Sequence, residues 1–124
     1  MDGVEKKRLV LVVDDNPKVL RFIEIDLKLR KFEVITATSG REALKFVKSK
    51  KPDIVLLDII MPGMDGLEVL RQLRAFSRLP AIAFSASPLE RDSAMSLGAS
   101  DFVTKPFHPD DMVRKIQVLL GDQS

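Results

Sequence analysis
The chain has 124 residues, a net charge of +2 and no cysteine, with 45% hydrophobic and 31% charged residues. That length suits one core and is short for two ordinary domains, and the composition is neither that of a disordered chain nor of a membrane-embedded one. The missing thiols exclude disulfides, thiol nucleophiles and cysteine metal sites. Lys and Arg are spread among acids rather than concentrated in a block, without the basic stripe or reading helix of a nucleic-acid binder. Met1 to Arg8 is polar with no apolar signal core behind it, so no export or membrane insertion is expected and a cytoplasmic setting fits.

In chain order, Leu9 to Val13 is a leucine and valine run that predicts a buried strand, closed by Asp14-Asp15. Asn16 and Pro17 suit the N-cap and first position of a helix reaching about Arg30, with Leu20, Ile23 and Leu27 on its core face. Phe22, Ile25 and Leu29 make a second apolar stripe nearly opposite, either an interaction surface or a face that neighbouring helices cover. Phe32 to Ala37 reads as a strand, and Ser39 to Lys48 as a helix with Ala43, Leu44 and Val47 inward. Ile54-Val55-Leu56-Leu57-Asp58 is a strand buried on both faces until a carboxylate ends it, before the turn residues Pro62 and Gly63.

Leu67 to about Phe76 is helical through Leu67, Leu70 and Leu73, and Pro80 introduces a fourth buried strand, Ala81 to Ser85. A helix is predicted from Pro88 to Leu97, stopped by Gly98, then a short strand from Phe102 to Lys105, broken by Pro106. The last helix, Pro109 to Leu120, carries Met112, Val113, Ile116, Leu119 and Leu120 on one face and ends at Gly121. Met61, Met64, Met95 and Met112 read as packing residues. Five strands alternating with five helices predict an α/β fold, a parallel sheet covered on both sides. The expected organisation is a polar lead over 1–7, one domain over 8–120 and a tail over 121–124.

Every strand but the second ends in a polar residue able to face one site: Asp14-Asp15, Asp58, Ser85 and Lys105. In open parallel sheets the reactive groups gather at those carboxyl ends. Three acids brought together repel one another, and a hard divalent cation, Mg2+ above all, relieves the repulsion. Lys105 adds one positive charge for an incoming anion, and Ser85 adds a hydroxyl donor. These parts suit phosphoryl transfer, in which Asp58 is the nucleophile and forms an acyl phosphate.

Over Arg8 to Leu120 the chain resembles the receiver domain of a two-component response regulator. The matching pieces are Val13-Asp14-Asp15-Asn16-Pro17, Leu57-Asp58-Ile59-Ile60-Met61-Pro62-Gly63-Met64-Asp65-Gly66, Ser85-Ala86, Gly98-Ala99-Ser100-Asp101-Phe102 and Thr104-Lys105-Pro106-Phe107. The resemblance implies a doubly wound, flavodoxin-like (CheY-like) fold with sheet order 2-1-3-4-5. It implies a signalling domain rather than an enzyme, one that assists the formation and hydrolysis of its own aspartyl phosphate.

By the same resemblance Asp58 is the phosphoacceptor, charged from a phosphohistidine of a sensor kinase or phosphotransfer protein. Asp15, Asp58 and the Ile60 carbonyl are implied as direct Mg2+ ligands, with Asp14 acting mainly through water. Lys105 contacts the phosphoryl group, and its bond to Pro106 is expected to be cis. Ser85 and Phe102 correspond to the switch pair, whose movement changes the face made by the fourth helix, fifth strand and fifth helix. A second copy of the chain or an effector reads that face, and Phe22, Ile25 and Leu29 would meet a kinase helix pair or a dimer partner.

Three positions depart from the commonest family pattern: Ser85 where threonine is frequent, Phe102 where tyrosine is frequent, and His108 where a short capping residue is usual. A flavin carrier of the same sheet order is disfavoured because Asp14-Asp15 would repel a phosphate after the first strand. A phosphohydrolase of the haloacid dehalogenase type needs a second acid two residues after the nucleophile, where this chain has Ile60. The initial Met and short polar tail favour a stand-alone signalling protein over the input domain of a longer regulator.

Overall fold
The computed structural model describes residues 7–121. The polar lead up to residue 6 and the tail from residue 122 lie outside the described residues. Five parallel strands, β1 (Leu9–Val13), β2 (Glu33–Ala37), β3 (Ile54–Asp58), β4 (Ala81–Ser85) and β5 (Asp101–Thr104), form one sheet in the order β2-β1-β3-β4-β5. The helices are α1 (Pro17–Leu29), α2 (Gly40–Lys50), α3 (Gly66–Arg74), α4 (Arg91–Ser96) and α5 (Pro109–Leu120). This is the α/β architecture expected from the sequence pattern and the strand order that the resemblance implies.

Alternation along the central strands sorts their side chains onto two faces. Leu11, Val13, Val55, Leu57, Ala81 and Ala83 pack with Ala43 and Val47 of α2, Val69, Leu70 and Leu73 of α3 and Ala94 of α4. Val10, Val12, Ile54, Leu56, Ile82 and Phe84 pack with Leu20, Ile23 and Leu27 of α1 and Met112, Val113 and Ile116 of α5. With both faces covered, β1, β3 and β4 tolerate no polar residue before their last positions.

Side chains close the helix starts where the sequence offers short polar groups. Asn16 accepts from the Lys18 N–H, Ser39 from Glu42 and Asp65 from Glu68. His108 takes the same role for α5, its Nδ1 accepting from the Asp110 N–H at 3.1 Å. Gly98 and Gly121 follow their helices with φ of +107° and +72°.

The main departure from the sequence reading is the single helix expected over Pro88 to Leu97. The chain instead makes a 3-10 turn at Pro88–Glu90 and then the six-residue α4. Ala94 is the one buried residue of α4, and Leu89 is 88% exposed, so this segment has little apolar surface to anchor a longer helix. Of the two readings of the second stripe of α1, cover by neighbouring helices does not hold: Phe22 is 59%, Ile25 49% and Leu29 76% exposed.

Candidate functional site
The strand ends bring the acids together. Asp14 continues the parity of Val10 and Val12, and its N–H donates to the Ala37 carbonyl at 3.1 Å, so its carboxylate is held one step past β1. Asp58 closes β3 on the same face, in register with Phe84 of β4. One carboxylate oxygen from each of Asp14, Asp15 and Asp58 lies within 4.8 Å of the other two. Asp14 and Asp58 are buried and Asp15 is exposed.

Both Asp14 oxygens are engaged: Oδ1 accepts from the Asn16 N–H at 2.9 Å and Oδ2 from Lys105 Nζ at 3.2 Å. Asp58 Oδ1 accepts from the Ile60 N–H at 3.3 Å, and Oδ2 stands 3.5 Å from Lys105 Nζ, an ion-pair distance. Burial, then the Asp14 charge, push the Asp58 carboxyl from 3.8 up to about 6, against the opposing pull of Lys105 and the Ile60 N–H. One lysine thus faces a cluster of three carboxylates. Hard oxygen donors with excess negative charge fit a small divalent cation better than they fit each other.

Backbone packing fixes this arrangement from below. The Ile59 N–H donates to the Phe84 carbonyl at 3.0 Å, and the Gly66 N–H donates to the Ile59 carbonyl at 2.8 Å, folding the start of α3 over the end of β3. A Cβ on Gly66 would sit 2.3 Å from the Asp58 carbonyl oxygen, so this close approach requires glycine. Lys105 follows β5, its N–H donates to the Ser85 carbonyl at 2.8 Å, and the Lys105 to Pro106 bond is cis, as the resemblance implies.

Ser85 is fully buried, and its Oγ accepts from the Ser87 N–H at 3.1 Å. Phe102 stands in register with Ala83, two residues before Ser85 along β4, and its ring is only 5% exposed within the core that includes Ala94 and Ala99. The ring therefore lies inward in this structure. Asp58, Asp14, Asp15 and Lys105 share one site; Ser85 meets it through its carbonyl, which accepts from the Lys105 N–H, Phe102 packs in the core on the α2–α3–α4 side of the sheet, and the stripe Phe22, Ile25 and Leu29 stands exposed on α1. Sequence reasoning overlooked Phe84. Its ring lies beneath the Lys105 ammonium, 5.0 Å from Nζ to centroid, and the signal was an aromatic residue immediately before Ser85.

No helix among the described residues is long and apolar enough to cross a membrane. Comparison with known proteins matches the response regulator receiver domain family over residues 10–117. The chain is 41% identical over 111 residues to the transcriptional regulatory protein KdpE of Mycobacterium tuberculosis, covering 88% of this chain and 49% of that protein. It is 37% identical over 114 residues to the alkaline phosphatase synthesis transcriptional regulatory protein PhoP of Bacillus subtilis, covering 90% and 48%. The chain thus spans about half the length of the curated relatives it matches.

Among solved structures, the receiver domain of the Francisella response regulator 1452 superposes with a TM-score of 0.87 at 30% identity, covering 93% of this chain and 98% of that one. Fold, site geometry and sequence agree: the chain belongs to the response regulator receiver domain family, the phosphorylation-activated signalling domains of two-component systems.

Proposed function
We propose that Asp58 is the phosphoacceptor of this receiver and that residues 8–120 form its working unit. A carboxylate oxygen of Asp58 attacks the phosphorus of a phosphohistidine on a sensor kinase or phosphotransfer protein. The new O–P bond replaces the N–P bond, and the released imidazole takes up a proton. The observation that carries this reading is the placement of Asp58 between a buried acid and a lysine, at a strand end, with its carboxyl pushed up to about 6.

Asp15, Asp58 and the Ile60 carbonyl would hold Mg2+ directly, with Asp14 acting through water. When bound, such an ion would supply charge neutralisation for the transfer of the phosphoryl group to Asp58. Lys105 turns from Asp58 to the arriving phosphoryl group, and Ser85 supplies a hydroxyl to one of its oxygens. The same groups assist hydrolysis of the acyl phosphate, so the domain limits its own signal.

A phosphoryl group adds nearly two negative charges, and its contacts with Ser85 and Lys105 favour one arrangement of the face made by α4, β5 and α5. Phe102 couples that face to Ser85, and an effector or a second copy of the chain reads it. The exposed Phe22, Ile25 and Leu29 on α1, a helix that begins directly after Asp14-Asp15, form the docking surface for the phosphohistidine partner. The protein works in the cytoplasm, without direct nucleic-acid contact by this domain.

Incubation with acetyl phosphate, with and without Mg2+, and intact-mass measurement test the reading. Wild type gains one phosphoryl group only with Mg2+ and Asp58→Asn gains none. Equal labelling of the variant, or failure of wild type with acetyl phosphate and with a phosphohistidine donor, contradicts it.

A further inference from the structure
We infer that Phe84 is a positioning residue that holds the Lys105 ammonium beside Asp58 through the face of its ring. Phe84 and Asp58 are register partners on neighbouring parallel strands, so their side chains leave the sheet on the same side. Lys105 reaches over both from the end of β5. Its Nζ sits 3.2 Å from Asp14 Oδ2, 3.5 Å from Asp58 Oδ2 and 5.0 Å from the centroid of the Phe84 ring. An ammonium over an aromatic face is attracted by the ring quadrupole, and more strongly where water is excluded. Phe84 is fully buried.

The ring is itself held in place. Phe107, just beyond Pro106, packs edge-on against Phe84 with centroids 5.9 Å apart and planes at 66°. The backbone turn that carries Lys105 and the surface under its ammonium are therefore clamped together. An aliphatic residue at position 84 would fill the core without attracting the cation. The two carboxylates lose their hold on Lys105 as it turns to an incoming anion, and the ring keeps its hold throughout.

This inference rests on the proposed role of Asp58, and the test separates the two. Phe84 is replaced in the full chain by phenylalanines of rising fluorination, up to the pentafluoro form, which nearly preserve shape while draining the ring face of negative charge. Phosphorylation by subsaturating acetyl phosphate with Mg2+ is expected to slow progressively, by about two- to thirtyfold overall. In the Mg2+-free wild type the ε-methylene protons of Lys105 resonate upfield of the other lysines, and Phe84→Leu abolishes that shift.

Rates independent of fluorination, or Lys105 protons that resemble those of surface lysines, overturn the inference while leaving Asp58 as phosphoacceptor. If wild type itself takes no phosphoryl group, the functional reading fails. The resonance of Lys105 then decides alone whether the ring holds the ammonium.

Discussion

The Lys105 ammonium and the Asp58 carboxylate lie 3.5 Å apart, and the same ammonium bonds Asp14 at 3.2 Å. A single cation is shared between two buried acids, with Asp15 completing the cluster at the surface. The folded chain carries this repulsion, which a proton on Asp58 or a bound cation would relieve. The measurable properties of the site follow from that imbalance.

The first consequence is a pH dependence of stability. Asp58 ionises near 3.8 when unfolded and near 6 when folded, because of burial and the Asp14 charge. Between those values the folded chain holds a proton that the unfolded chain has lost, so the contribution of Asp58 to stability is full below about pH 4 and is lost as pH rises through 6. Asp58→Asn removes the penalty and is expected to be about 1–3 kcal/mol more stable at pH 7 in chelator-containing buffer. Urea unfolding of both proteins at pH 4 and pH 7 checks this; a variant less stable at pH 7 contradicts it.

Mg2+ should act in the same direction. An ion that binds only the folded chain raises the unfolding temperature with concentration. Thermal unfolding across a Mg2+ titration is expected to show that rise in wild type and little of it in Asp15→Asn. An equal rise in both proteins removes Asp15 from the ligand set.

Gly66 tests the backbone support of the site. Its added Cβ would meet the Asp58 carbonyl oxygen at 2.3 Å and the Ile59 Cα at 2.6 Å. Gly66→Ala is expected to cost about 1–3 kcal/mol, the range for overpacking against backbone. Denaturant midpoints measure it, and a variant as stable as wild type would show that the start of α3 can shift away from β3.

The α1 surface makes a separable prediction. Ile25 and Leu29 are 49% and 76% exposed, so Ile25→Glu with Leu29→Glu should change stability by less than about 1 kcal/mol. The double variant is expected to accept phosphoryl groups from acetyl phosphate at the wild-type rate and from a phosphohistidine partner at least several-fold more slowly. Undiminished transfer from the partner would rule out docking at this stripe.

Much of this was legible in the sequence because strands buried on both faces are written as unbroken apolar runs. Leu9–Val13, Ile54–Asp58 and Ala81–Ser85 stand where those runs stand, and their ends fix the positions of Asp14, Asp58 and Ser85. The segment after Ser85 was less legible. Ser87 and Pro88 signal a helix start, yet whether a full helix follows depends on how much of it the sheet covers, and only Ala94 of α4 is buried. Periodicity places Phe84 on a face but does not reveal that a lysine from another strand end will lie over it. The same limit hid His108 as a cap, since an imidazole nitrogen accepts an N–H only in the right local geometry.

The most direct test of the central claim is to locate the acyl phosphate itself. After incubation with acetyl phosphate and Mg2+, borohydride reduces an aspartyl phosphate to homoserine, which tandem mass spectrometry assigns to a position. Homoserine at position 58, dependent on Mg2+ and absent without the phosphodonor, is the predicted result. Homoserine at Asp14 or Asp15, with Asp58 unmodified, would contradict the account.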